Sequence, residues 1–370
     1  MTGSVHRPAD APEARGLKFR SVAERLRQEI GEGRWPVGGR LPSEPELARV
    51  HGASVSTVRR AVAELVAEEL VVRRQGSGTY VLGQGAARRR SALVGVVVPD
   101  TAFYYPRVLA GIEEELRRAG ARSVIACSGY DQDRELRALA DMLDAGAEGL
   151  LLVPTLAGPQ TPEEYLARLA GLPVPTVLVE RRGTSLGDTT ESVCTHHEAG
   201  GYDAVRHLAR LGHRTIGLVL RLHSPTTEPV ALGFHQAVRE LGLTGAEFRA
   251  AREEWSPAAA DRCLAWLRAA GATAAVCFGD RQAALLEAAC RRAGLGVPGD
   301  LALVAYDDEI ADLAEVPLTA VAPPKHLLGR TAAAVLLDRL ERPEEARRQV
   351  LLRPAITVRD SCGAARATGR

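Results

Sequence analysis

The sequence predicts an α/β protein in two unequal parts: a small basic head of helices ending in a hairpin, and a large body of two doubly wound lobes. Three observations carry this. Between Leu41 and Leu82, two helical patterns meet at a tight turn and run into a Gly-punctuated hairpin. From Leu93 to Glu341, short apolar strands alternate with helical patterns, the rhythm of parallel sheets covered by helices. Charge divides at the same place. Residues 1–91 hold 16 Lys and Arg against 10 Asp and Glu, a balance of +6, and the rest holds 31 against 36, a balance of −5. A basic head on an acidic body points to a polyanionic partner for the head alone.

A chain of 370 residues exceeds one ordinary core. The expected division is a disordered lead over 1–16, a head over 17–83, a linker over 84–91, a body over 92–362 and a tail over 363–370. The first 16 residues have no apolar centre and do not read as a signal peptide. No apolar run reaches the roughly 18 residues of a membrane helix. The six cysteines (127, 194, 263, 277, 290, 362) form no CxxC pair, which fits reduced thiols in a cytoplasm.

Within the head, Phe19, Val22, Ala23, Leu26 and Ile30 predict a helix over about 19–31. Trp35 to Gly39 is a turn. Ser43 and Glu46 form a capping box for a second helix that ends near His51 and buries Leu47, Ala48 and Val50. Gly52 breaks it and Ser54 caps a third. There Val55, Val58, Ala61, Val62, Leu65 and Val66 make an apolar stripe, with Ser56, Thr57, Arg59, Arg60 and Ala63 on the opposite side. Small hydroxyl residues ahead of Arg suit a helix that must approach bases and phosphates closely. Leu70–Arg74 and Thr79–Leu82 read as two strands joined by Gln75-Gly76-Ser77-Gly78. The linker's Arg88-Arg89-Arg90 reads as a solvated tether, with contact to phosphates of a bound polyanion as the alternative.

These residues resemble the winged helix-turn-helix head of GntR-family transcriptional regulators. The matching stretches are Gly39 to Glu44, Glu46-Leu47-Ala48, Ser54, Thr57-Val58-Arg59, Ala61, Leu65, and Arg73 to Val81. The resemblance implies contacts to double-stranded operator DNA from Ser43, Ser54, Ser56, Thr57, Arg59 and the Gln75-Gly76 tip. Pro45 and Val55 stand where such heads usually carry Arg, so Arg60 and Arg73 are added to the expected DNA-binding set.

In the body, strands are expected at 93–98, 123–127, 149–153, 176–179, 216–220, 274–278 and 301–305, each with a following helix. Ligands of doubly wound sheets bind at strand C-termini. The acids there are Asp100, Glu180, Asp280 and the pair Asp307-Asp308, which suit a polyhydroxylated ligand. Phe103, Tyr104 and Tyr105 are placed to stack on a sugar ring.

The segments Val94 to Asp100, Val177 to Arg181, His197 to Gly201, Gly233-Phe234, Val297 to Leu301, Val304 to Asp308 and Pro317 to Val321 resemble the effector-binding domain of LacI/GalR-type repressors. That domain is itself similar to periplasmic sugar-binding proteins. The likeness implies two lobes with crossovers near Thr195-His196 and Leu318–Val321, and a homodimer formed through the body. It also implies a small sugar-like effector held by Asp100, Tyr104, Glu180, Asp280 and Asp307. Val230 replaces that family's Arg, Gly279 its Asn, and Glu180 its Asp. A GntR head on a LacI-type body resembles the arabinose-repressor subgroup.

No enzyme signature emerges. The two lysines, Lys18 and Lys325, follow no Gly-rich loop, and Gly201 stands where a zincin motif begun at His197 needs its second His. His196, His197, His207 and His213 read as structural. No GxSxG elbow occurs, and Pro99-Asp100 stands where a dinucleotide fold needs GxGxxG. No metal, cofactor or membrane is expected. The alternative is a sugar-binding or enzymatic α/β protein whose head serves another partner. Salt-dependent binding of the chain to its own upstream DNA separates the two classes.

Overall fold

The computed structural model describes residues 12–364 except 69, 75, 83–91, 184, 186 and 223. The expected linker, Gln75 and most of the two termini therefore lie outside the described residues.

The head opens with α1 (Pro12–Gly31), which starts ahead of the apolar stripe that begins at Phe19. Next come α2 (Glu44–Val50), α3 (Val55–Ala67) and the hairpin β1 (Val71–Arg74) and β2 (Gly78–Val81). One apolar core unites them: Val22, Leu26 and Ile30 of α1, Leu47 of α2, Val58, Val62 and Leu65 of α3, and Val71 and Val81 of the hairpin. Two residues expected inside are outside, since Val50 is 69% and Val55 37% exposed. Each sits at a helix end, where the stripe has run past the neighbouring helices. Arg27 clamps α1 to the end of α3, its Nε and Nη2 donating to the Glu68 carboxylate at 3.0 and 2.7 Å.

The stretch expected as a plain turn is also more than that. Gly38 N donates to Val81 O at 2.8 Å, Val81 N to Gly39 O at 2.9 Å and Leu41 N to Thr79 O at 2.8 Å. Residues 38–41 thus flank β2 and join the wing to the entry of α2.

The body contains two six-stranded sheets. The first takes β3 (Leu93–Val98), β4 (Arg122–Cys127), β5 (Gly149–Leu152), β6 (Thr176–Val179) and β7 (Glu191–Thr195), with β13 (Gln349–Leu352) at its edge, in the order β13-β7-β6-β5-β3-β4. The second takes β8 (Thr215–Arg221), β9 (Thr244–Ala250), β10 (Ala274–Cys277), β11 (Ala302–Tyr306), β12 (Thr319–Ala322) and β14 (Ala355–Thr357), in the order β14-β12-β11-β10-β8-β9. Among the pairings of described residues in these two sheets, only that of β14 with β12 is antiparallel. The helices that bear on the sites are α4 (Tyr105–Ala119), α7 (His197–Arg210), α8 (Thr227–Glu240), α10 (Asp280–Arg292) and α11 (Lys325–Glu341), while α5 (Gln132–Asp144), α6 (Pro162–Ala170) and α9 (Pro257–Ala269) complete the set.

Three crossings join the lobes. The first lies between β7 and α7, as expected. The second follows Ala322, because Leu318–Val321 falls largely inside β12 rather than in a connection. A third, Arg353-Pro354 between β13 and β14, went unforeseen. The edge strand β9 was also missed: its TGAEFRA sequence is mostly exposed or half-buried and lacks the apolar run of a central strand.

Helices α7 and α8 meet at backbone distance. A Cβ on Gly233 would lie 1.8 Å from Glu198 O, and one on Gly201 would lie 2.3 Å from Val230 O. The glycine of Gly233-Phe234 is thus a packing requirement, with Phe234 fully buried beside it.

Candidate functional sites: a reading face and an interlobe cleft

On the head, Ser43 N and Oγ donate to Glu46 Oε2 at 2.8 and 2.7 Å, fixing the start of α2. These bonds hold the Glu46 carboxyl below its usual range. Ser54 Oγ accepts from Thr57 N at 3.2 Å and lies 2.9 Å from Ser56 Oγ and 2.7 Å from Thr57 Oγ1. These hydroxyls therefore gather at the N-terminal end of α3, where its dipole also favours an anion.

One carboxylate organises the arginines. Glu44, the first residue of α2, accepts from Arg59 Nε at 2.9 Å and from Arg73 Nη2 at 2.8 Å. The recognition helix and the wing strand are thereby tied through α2, with one net positive charge left on the trio. Arg60 points elsewhere: its guanidinium lies 4.0 Å over the Phe19 ring of α1. The sequence placed Arg59 and Arg60 together, yet a step of one residue on a helix turns the side chain by about 100°. In the wing, Gly76 and Gly78 adopt φ of +70° and +120°, and Arg74 stacks 4.7 Å over Tyr80.

In the body, unusual backbone collects at strand ends. Phe103, Tyr130, Glu180, Asp307 and Asp308 all have positive φ. Such strain at non-glycine residues concentrates at functional sites.

The five expected effector residues differ in what they have left to offer. Glu180 is buried and committed: it accepts from Tyr104 OH, from Thr195 N at 3.1 Å and from Thr195 Oγ1 at 2.9 Å, with His197 Nε2 at 3.1 Å. Burial alone would raise its pKa, but His197, Tyr104 and Thr195 together pull it below the ordinary value. Tyr104 is correspondingly occupied by Glu180 rather than presented for stacking. Asp280 accepts from the backbone N–H groups of Asp308 (3.3 Å), Glu309 (2.6 Å) and Ile310 (2.9 Å), so it anchors the loop after β11. Burial raises its pKa nonetheless. Asp100 receives Ala102 N at 2.9 Å and keeps its second oxygen. Asp307 follows β11, and its side chain makes no hydrogen bond among the described residues. Its carboxyl is pushed up to about 6 by burial and by the nearby Asp280, against the pull of Lys325 and Arg221.

Of the other residues noted, Asp308 is paired with Arg359 at 2.7 Å and Thr357 at 3.0 Å. Tyr105 is buried in the lobe, and Phe103 alone of the aromatic trio is well exposed.

Several participants were not expected. His197 bridges the lobes, with Nδ1 3.0 Å from Tyr306 OH and Nε2 facing Glu180. Lys325 is 3% exposed, donates to the Asp307 carbonyl, pairs with Glu309 at 2.5 Å and lies 5.1 Å over the Tyr104 ring. Being one of two lysines in the chain was the only signal it gave. Arg221 ends β8 and stacks 5.4 Å over Phe278. Val230, at the place of the expected Arg, is fully buried in the core. Among the described residues, no group of three His, Cys, Asp or Glu is arranged to hold a metal ion.

Comparison with known proteins agrees with both parts. Residues 18–81 match the model for bacterial regulatory proteins of the gntR family, and residues 205–362 match that for the periplasmic binding protein-like domain. Across 355 residues the chain is 30% identical to an arabinose metabolism transcriptional repressor of Geobacillus stearothermophilus, covering 93% of this chain and 97% of that protein. A second such repressor, from Halalkalibacterium halodurans, is 27% identical over 369 residues, 94% of this chain and 97% of that one. The structure of a LacI family transcriptional regulator from Enterococcus faecium with bound ribose superposes with a TM-score of 0.59 at 26% identity, over 73% of this chain and 98% of that chain. The transcription regulator GntR of Chromobacterium violaceum gives the same score and identity, over 73% and 99%.

Proposed function

We infer the mode of action from one premise: the chain belongs to the family of the arabinose metabolism transcriptional repressors, DNA-binding regulators with a GntR head and a periplasmic binding protein-like body. In this reading it works in the cytoplasm as a homodimer, and its two heads take the half-sites of a pseudo-palindromic operator. The observation that carries the reading is the shared hold of Glu44 on Arg59 and Arg73, which presents a helix cation and a wing cation on one face with the hydroxyls of Ser54, Ser56 and Thr57.

The body supplies the switch. A small sugar-like molecule enters between the lobes, where Asp307 and Asp100 keep acceptor capacity, and stabilises one lobe arrangement over another. Affinity for the operator falls by the difference in the ligand's affinity for the two arrangements. No helix among the described residues is long and apolar enough to cross a membrane. The chain acts by binding rather than by turnover.

A mobility-shift titration against the chain's own upstream DNA, over a range of salt, tests this. A specific, steeply salt-dependent shift that a pentose derivative reverses is expected. Binding that does not distinguish upstream DNA from unrelated DNA would sink the reading.

A further inference from the structure

Resting on the reading of the cleft as the effector site, we propose that the effector carries an anionic oxygen group, a phosphate or a carboxylate, received by Arg221 and Arg181. The pairing of charges within the cleft leads there. Glu180 is faced by His197, Glu309 by Lys325, and Asp308 by Arg359. Asp280 is spent on three backbone donors. Glu198 has Arg182 at 3.4 Å. What remains is Asp100 and Asp307 against three arginines, Arg181, Arg221 and Arg252, and no carboxylate pairs with any of the three among the described residues.

These arginines come from separate elements yet address one place. Arg181 follows β6 in the first lobe and lies 5.5 Å over the ring of Tyr130, a residue at φ +63° that is 43% exposed. Arg221 ends β8 in the second lobe, and Arg252 follows β9. Burial and Asp100 raise the pKa of the Tyr130 phenol, and all three guanidiniums oppose that rise. Arg221 acts on Asp307 as well.

Donor capacity is also in surplus. Among the described residues, Arg181 spends Nη1 on Pro154 O at 2.6 Å, and the Arg221 guanidinium makes a single 3.4 Å contact, to Ser224 Oγ. A guanidinium has five N–H donors in a rigid fork that matches phosphate and carboxylate oxygens two at a time. Phe278 and Tyr130 lie within 5.4 and 5.5 Å of the two guanidiniums, which limits their freedom before an anion arrives. Asp307 and Asp100 then take hydroxyl protons, and the ligand is a polyol at one end and an anion at the other.

The test is a calorimetric titration of the full chain, without DNA, with L-arabinose, D-ribose, their 5-phosphates, the corresponding pentonates, and inorganic phosphate. One anionic class is expected to bind at least about tenfold tighter than its neutral parent, and the phosphate and pentonate arms say which. Arg221→Gln and, separately, Arg181→Gln are expected to erase that preference while the operator shift stays unchanged and each variant still melts cooperatively. Neutral pentoses binding as tightly as both anionic classes would overturn the proposal, as would an undiminished preference in the two variants or inorganic phosphate binding as well as the sugar phosphates. Affinity is read without DNA, so failure here stands apart from a failed operator shift.

Discussion

Arg59 Nε donates to Glu44 Oε2 at 2.9 Å, joining the second turn of the recognition helix to the first residue of the helix before it. The same carboxylate's other oxygen takes Arg73 of the wing. Both arginines are well exposed, so the pairs contribute little to stability. Their effect is positional: two long cations are held near one orientation before DNA arrives.

Arg59→Ala is therefore expected to weaken operator binding by roughly 1–3 kcal/mol, and Arg73→Ala to weaken it with a flatter salt dependence. Arg60→Ala should leave operator affinity nearly unchanged and cost at most about 1 kcal/mol of stability through the lost Phe19 stacking. Mobility-shift titrations at several salt concentrations, with thermal melts of the same variants, give both readings. Equal losses at positions 59 and 60 would show that the two side chains share the DNA face.

Gly233→Ala should destabilise the body by about 1–3 kcal/mol, because the new methyl meets a backbone carbonyl and the helices must part. Ala at Gly212, where a Cβ meets nothing but φ is +99°, should cost about 1 kcal/mol from backbone strain alone. Denaturant melts showing Gly233→Ala as stable as the parent would refute the close approach of α7 and α8.

Asp307 gives the cleft a pH signature. Its folded pKa, about 6, lies above the unfolded carboxylate value, so the folded chain binds that proton more tightly. Below about pH 4 the group costs nothing. Stability is lost as pH rises from there through 6, by about 1–2 kcal/mol after solvent screening. Asp307→Asn should raise the melting temperature at pH 7.5 and have little effect at pH 4. A gain of equal size at both values would remove the carboxyl from the buried setting described.

Asp280→Ala should cost about 1–3 kcal/mol, since three backbone donors lose one acceptor. Its effect on ligand affinity should follow from disorder of the loop at 308–310, while Asp280→Asn, which keeps an acceptor oxygen, should retain much of both. An unaltered melting curve for the alanine variant would return Asp280 to the ligand.

Much of this molecule is legible in one dimension. Caps, apolar stripe and glycine turn place the reading head without a fold in hand, and the buried runs such as Leu93–Val98 announce the parallel sheets. The acids after the strands are legible too, as Asp100, Glu180, Asp280 and Asp307 show. Their allegiance is not. Glu180 meets Thr195 and His197, and Asp280 meets residues 308–310, through contacts that only the crossovers and the loop after β11 create. Arg221 hid for a related reason: its importance comes from what its neighbours no longer need. The strands β9, β13 and β14 stayed hidden because edge strands alternate weakly and carry polar residues, and the interior strands β7 and β12 because they are short and open on Glu191-Ser192 and Thr319 rather than on an apolar run.

The three crossings also set the order in which the protein is completed on the ribosome. The lobe that begins first, at Leu93, lacks its edge strand until Gln349–Leu352 has been made, and it is covered by α11, which docks on β5, β6 and β7. The lobe begun second closes with Ala355–Thr357, a few residues later. Neither lobe is a contiguous piece of chain, so neither can be finished and released before the other. A nascent chain halted near residue 345 would have a complete head able to seek DNA and no complete body to govern it.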